Sequence, residues 1–195
     1  MKKIVFATNN AHKLAEVRAI LQGRFEILSL ADIGCSDDIP ETGDTFRDNA
    51  MQKAKWVRER YGYDCFADDS GLEVDALGGA PGVLSARYSG VAHDDKANNS
   101  LLLENLKGKS DRSAAFTTVI ALLFEGGEYF FTGCVKGEIL EQPCGDAGFG
   151  YDPLFRPCGW TKTFAQAAPG EKNAVSHRGQ AVRKLIEFLS DVIKN

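Results

Sequence analysis

The sequence predicts an α/β protein with a mixed, twisted central sheet and flanking helices, and three stretches carry that prediction. Lys3-Ile-Val-Phe-Ala7 is an unbroken apolar run, the pattern of a strand buried on both faces, and it leads into a helical spacing of Leu14, Val17 and Leu21. Residues Ala114 to Phe124 and Tyr129 to Leu140 flank Glu125-Gly126-Gly127-Glu128, a strong signal for an antiparallel hairpin. From Ser176 to Lys194, the residues Val182, Leu185, Ile186, Leu189 and Ile193 form one helical stripe.

The chain of 195 residues is long enough to bury a sizeable core as one domain, or as one domain with a lobe. Lys and Arg number 23 against 27 Asp and Glu, for a net charge of -4, which argues against non-specific nucleic-acid binding and implies that any phosphate is gripped locally. No run approaches the ~20 apolar residues of a membrane span. The apolar run before Asn9 and Asn10 is too short for a signal peptide, so a cytoplasmic location is expected. The five cysteines, at 35, 65, 134, 144 and 158, form no C-x-x-C pair and read as reduced thiols, with neither zinc nor a disulfide framework implied.

Taking the chain in order, the first strand ends in Thr8-Asn9-Asn10-Ala11-His12-Lys13, with Asn10 as N-cap of the first helix. A strand, a polar loop and a helix N-terminus make an anion site, because first-turn N–H groups are unpaired and the dipole presents its positive end. Lys13 is a cation where the dipole favours an acid; a phosphate would compensate it, and a solvated lysine is the alternative. Glu26 to Ser29 is a second candidate strand, followed by a polar loop through Pro40-Glu41-Thr42-Gly43. Thr45 caps a helix to about Tyr61, in which Phe46, Ala50, Ala54, Val57 and Tyr61 fall within an arc of about 80° at ~100° per residue. Lys53 lies about 20° outside that arc and so leans inward, either as a ligand-binding group or as a lysine snorkelling from the core boundary; Asn49 shares its flank.

Next comes Cys65-Phe66-Ala67 followed by Asp68-Asp69-Ser70-Gly71, expected as acids at a strand end, with Ser70 and Gly71 turning the backbone. With Glu73 and Asp75 close behind, the like charges raise one another's pKa unless cations or donors offset them. The segment alone leaves a metal or catalytic site and a solvated acidic turn both open. A glycine-rich loop from Leu77 to Gly90 contains Arg87, and Asp94 caps a helix through Leu101, Leu102 and Leu106. Gly108-Lys109-Ser110 is no P-loop, since Leu103 stands where its first glycine belongs and a helix precedes it. After the hairpin, Gly145 to Phe155 joins glycines to an aromatic and acidic cluster: Phe149 and Tyr151 could stack on a flat ring while Asp152 accepts its hydrogen bonds, or the aromatics could simply cover the core. Ser176 caps the last helix, with His177 and Arg178 expected in an exposed first turn and Lys172 just upstream.

Together these residues could serve a nucleoside triphosphate. Lys13, Lys53 and main-chain N–H groups would hold phosphates, and Glu41 and Asp69 would carry Mg²⁺, which favours one or two carboxylates plus substrate oxygens. An aromatic ring would stack on the base, fixed donors would read its edge, and Asp69 could also take a proton from an attacking water.

The motifs Thr8-Asn9-Asn10-x-x-Lys13, Glu41-Thr42-Gly43, Asn49-Ala50-x-x-Lys53-Ala54, Asp68-Asp69-Ser70-Gly71-Leu72, Gly78-Gly79-Ala80-Pro81-Gly82, Ser85-Ala86-Arg87-Tyr88, Gly148-Phe149-Gly150-Tyr151-Asp152-Pro153 and Ser176-His177-Arg178-Gly179 run in order through nearly the whole chain. In them the chain resembles the inosine triphosphate pyrophosphatase family, departing in Asn9-Asn10 where many members have Gly-Asn. The resemblance implies a homodimer of α/β subunits with two lobes around a central cleft, hydrolysing ITP, dITP and XTP to monophosphate and pyrophosphate with Mg²⁺. It implies that Thr8, Asn9, Asn10, Ala11, His12 and Lys13 bind the triphosphate, that Glu41 and Asp69 hold the metal with Asp69 as proton acceptor, and that Ser70 contacts substrate. The nucleobase pocket would be Phe149, Gly150, Tyr151, Asp152, Lys172, His177 and Arg178. Rival readings are a pyrophosphatase of the septum-formation-inhibitor type acting on modified pyrimidine nucleotides, and a non-catalytic nucleotide sensor. An aspartyl-phosphatase ranks lowest, because its nucleophile sits in an Asp-x-Asp arrangement and Asp68 and Asp69 are contiguous.

Overall fold

Residues 3–21 and 25–193 are described by the computed structural model; the expected helix end at Lys194 lies outside them, as do the side chains of Leu21 and Ile193. The chain forms two compact units, the first from the described residues of Met1–Asp69, Thr118–Gly133 and Arg178–Asn195, the second from Ser70–Thr117 and Cys134–His177. Six strands make a mixed sheet in the order β2-β1-β3-β4-β5-β6.

In the first unit β1 (Lys3–Phe6) pairs in parallel with β2 (Glu26–Leu28) and with the start of β3 (Cys65–Val74), Val5 lying opposite Cys65 and Phe6 opposite Phe66. The unbroken apolar run of β1 is explained by cores on both of its faces. Ile4 and Phe6 join Val17 of α1 (Ala11–Leu21) and Val182, Leu185 and Leu189 of α5 (His177–Ile193), and the Phe6 and Phe66 rings stack 4.6 Å apart. Val5 and Ala7 join Ala50, Ala54 and Val57 of α2 (Phe46–Tyr61) on the other side. Asn10, by accepting from the amides of His12 and Lys13, and Thr45, by accepting from that of Asp48, cap their helices as expected.

The second unit is built on Leu72 and Val74 of β3, Leu102 of α3 (Asp95–Asn105), Phe116 of β4 (Ser113–Phe124), Ile139 of β5 (Gly127–Ile139) and Phe155 of β6 (Phe155–Pro157). Asp94 caps α3 as the sequence predicts. The β4–β5 hairpin turns on Glu125 and Gly126, both left-handed at φ 49° and 85°, the two-residue geometry that suits strand twist.

One expectation on an element is corrected, and one helix is added. Asp68-Asp69-Ser70-Gly71 is no turn: β3 runs unbroken from Cys65 to Val74, because chain-distant cations and an amide meet the buried acids. The segment containing Lys172 is a helix, α4 (Pro169–Val175), opened by a proline at its first position and too short to show a period.

Candidate active site

The first unit gathers the acids and cations. Thr8 Oγ1 accepts from the Asn10 amide at 3.2 Å, and Asn10 Oδ1 accepts from the amides of His12 and Lys13 at 3.0 and 3.1 Å. Two of the N–H groups that the sequence offered to phosphate are therefore engaged by the cap itself. Asn9, Ala11 and His12 are exposed, whereas Lys13 turns inward to an ion pair with Asp68 Oδ2 at 3.0 Å. Burial pulls the Lys13 pKa down, Asp68 opposes that, and the charges of Lys53 and Arg178 add to the lowering. Lys13 is thus a desolvated cation in contact with a carboxylate.

Helix α2 presents Lys53 to the same cluster. It is only 7% exposed and bonds Glu41 Oε1. Burial works against its charge, yet Glu41, Asp69 and Asp68 together hold its pKa above the usual lysine value. For Glu41, desolvation is outweighed by Lys53, and the carboxyl lies below its ordinary value. Asp69 goes the other way: burial pushes it up, Lys53 and Lys13 oppose, and Glu41 adds to the rise. Asp69 Oδ2 also accepts from Asn49 Nδ2 at 3.0 Å. A carboxyl held high in its range is suited to taking a proton.

Arg178 is the correction with most consequence. The sequence placed it with His177 in an exposed first turn, but it is 2% exposed, its guanidinium bonds Glu16 Oε2, and Nε lies 3.5 Å from Asp68 Oδ2. Glu16 and Asp68 provide the charge compensation that a helix start denies. Its contacts therefore join it to Lys13 and Asp68.

The second unit holds the ring-binding candidates. Lys172 Nζ lies 4.9 Å from the Phe149 ring centre and donates to Asp152 Oδ2 at 2.7 Å; the same oxygen accepts from the Phe149 amide at 2.9 Å. Gly148, at φ 78°, is required there, since a Cβ would stand 2.1 Å from Asp152 Oδ2. Phe149 is half-buried, but Tyr151 is buried, with its hydroxyl donating to Ser85 O at 2.8 Å and its phenol pKa pushed up by burial. Tyr151 thus builds the wall, leaving Phe149 as the accessible ring. Gly150 is held at both ends, its amide donating to Asp95 Oδ2 at 2.7 Å and its carbonyl accepting from Asn99 Nδ2 at 3.0 Å. His177 is buried, not exposed, with its ring stacked 4.7 Å from that of Phe116. Ser70 is half-buried at the start of this unit.

Glu16, Asp95 and Asn99 escaped the sequence reading because their partners lie far along the chain and no local pattern marks them. Among the described residues, no three His, Cys, Asp or Glu side chains group as a metal cage. Glu41 lies near enough to Asp69 to raise its pKa, and such a pair of carboxylates fits Mg²⁺, which keeps waters and takes the rest of its shell from phosphate oxygens. Among the described residues no helix is long and apolar enough to cross a membrane.

Residues 4–188 match the model of the Ham1 family. The chain is 55% identical over 188 residues to a dITP/XTP pyrophosphatase of Christiangramia forsetii, covering 96% of this chain and 99% of that one. It is 52% identical to a dITP/XTP pyrophosphatase of Porphyromonas gingivalis, over 97% and 98% of the two chains. Among solved structures, a HAM1 protein from Coxiella burnetii superposes with a TM-score of 0.90 at 41% identity, over 98% of this chain and 100% of that one. The Staphylococcus aureus Ham1 protein superposes with a TM-score of 0.89 at 38% identity, over 97% and 99%.

Proposed function

This chain belongs to the Ham1 family, and on that premise we propose that it hydrolyses deaminated purine nucleoside triphosphates, dITP, ITP and XTP, to the monophosphate and pyrophosphate. The observation that carries this reading is the cluster in which buried Lys53, Arg178, Asp68 and Asp69 meet half-buried Lys13 and Glu41. Desolvated lysines of this kind suit a polyphosphate, whose charge they neutralise more strongly than exposed lysines could.

In the proposed mechanism Lys13 and Lys53 hold the phosphate chain, and the loop of Thr8, Asn9, Asn10, Ala11 and His12 borders it. Glu41 and Asp69 would hold Mg²⁺, which when bound offsets the charge on the phosphate oxygens. Asp69 accepts the proton of the attacking water, and the bond between the α and β phosphoryl groups breaks. Phe149 stacks on the base, with Gly150, Tyr151, Asp152, Lys172 and His177 shaping its pocket and Ser70 touching the substrate. Arg178, also in that proposed set, is tied to Asp68 and serves the phosphate side through it. Hypoxanthine and xanthine carry a carbonyl where adenine carries an amino group, so donors aimed there accept the former and leave an unpaired donor against ATP, at a cost of ~1–3 kcal/mol. The resemblance supports a homodimer, and five free thiols agree with a cytoplasmic setting.

The test is pyrophosphate release from dITP, XTP, ATP, dTTP and 5-methyl-UTP with Mg²⁺. The purine-carbonyl substrates should lead. Preference for the pyrimidines, or tight binding with no turnover of any, would overturn the reading.

A further inference from the structure

Three side chains of α2 grip three successive residues of the loop that carries Glu41. Lys53 bonds Glu41. Gln52 makes a reciprocal pair with Thr42: the Thr42 amide donates to Gln52 Oε1 at 3.0 Å, and Gln52 Nε2 donates to Thr42 Oγ1 at 3.0 Å. Asn49 Oδ1 accepts from the Gly43 amide at 2.7 Å. The other end of the Asn49 carboxamide donates to Asp69 Oδ2 at 3.0 Å, and the residue is fully buried. One rigid amide therefore joins the Glu41 loop to the carboxylate of Asp69. Gly43 makes that approach possible, because a Cβ there would stand 2.7 Å from Asp48 Cβ and 2.9 Å from Asn49 Oδ1.

We propose that Asn49 is a positioning residue that, with Gln52, fixes Glu41 and Asp69 relative to each other and so presets the pair for a divalent cation. The proposal rests on the metal role given to that pair in the functional reading above. Asn49 is suited to the task by its chemistry: an amide donates at one end and accepts at the other, so it orients Asp69 without adding charge or competing as a strong ligand. Groups that orient a metal ligand in this way change metal affinity or activity by 10–100-fold when removed.

The test measures Mn²⁺ binding by electron paramagnetic resonance, with a non-hydrolysable imido analogue of dITP present, for wild type, Asn49→Ala and Gln52→Ala, together with melting temperature. Asn49→Ala should weaken Mn²⁺ by roughly 10- to 100-fold, and excess metal should restore part of kcat. Gln52→Ala, at a half-buried site, should weaken it by a smaller factor in the same direction and keeps the test decisive should Asn49→Ala not fold. Wild-type Mn²⁺ affinity in a folded Asn49→Ala, or in Gln52→Ala if that is the variant that folds, would overturn the proposal whatever happens to the melting temperature. Failure of the functional reading looks different: wild type would bind Mn²⁺ but turn over none of the purine triphosphates.

Discussion

Asp69 and Glu41 depart from ordinary carboxyl values in opposite directions, and the two shifts make opposite predictions for stability. Burial raises Asp69, so between its unfolded and folded pKa values the native state retains a proton that the unfolded chain has released; stability falls as pH rises through that window and the penalty is complete above it. Asp69→Asn should therefore melt at or above the wild-type temperature at neutral pH while losing about 10²–10⁴-fold or more in turnover, a split to be read by calorimetry beside pyrophosphate release. Glu41 is lowered because Lys53 outweighs its desolvation, so its stabilisation is present above the unfolded pKa and is lost as pH falls through the folded one. Glu41→Gln should cost roughly 1–3 kcal/mol at pH 7, and its melting curve should converge with wild type in acid. A constant difference across pH would contradict the Lys53 pairing.

Helix α2 begins at a cap legible in the sequence and carries Asn49, Gln52 and Lys53 within its second and third turns. Thr45→Ala removes the acceptor for the Asp48 amide and should cost about 1 kcal/mol, a fall of about 2–4 °C in Tm for a chain of this size. The β4–β5 turn offers the reverse case, since Glu125 is a non-glycine residue in the left-handed region. Asn adopts that region more readily, so Glu125→Asn should raise stability by a few tenths to about 1 kcal/mol; a lower Tm would show that the Glu125 side chain is worth more than the strain. Capping and hairpin signals were legible because they depend on residues within four positions of each other. The supposed Asp-Asp-Ser-Gly turn misled for the complementary reason: its composition suggests a bend, while Lys13, Asn49 and Arg178, 20 or more residues away in sequence, permit a strand.

For the whole molecule, each of the three acids of the candidate site is already met by the protein's own groups, Glu41 by Lys53, Asp69 by Asn49, and Asp68 by Lys13 and Arg178. In the proposed mechanism a metal would thus serve the reaction rather than the fold. Chelation with EDTA should stop turnover, return it on adding Mg²⁺, and leave circular dichroism and Tm nearly unchanged; a large loss of Tm would assign the metal a structural role instead. The two faces of β1 show the same division between local and distant information, because the apolar run demanded cover on both sides but could not say that α5 and α2 would supply it.

From residue order alone came the α/β class, the caps at Asn10, Thr45 and Asp94, the inward lean of Lys53 and the family motifs, since backbone preference and side-chain periodicity act over a few residues. Only folding decided that Arg178 would be buried against Asp68, 110 positions away, that Asp95 and Asn99 would hold Gly150, and that Asn49 would join the Glu41 loop to Asp69. A buried polar group must find a partner, but which partner reaches it is fixed by packing, and packing brings together residues that the linear order keeps apart.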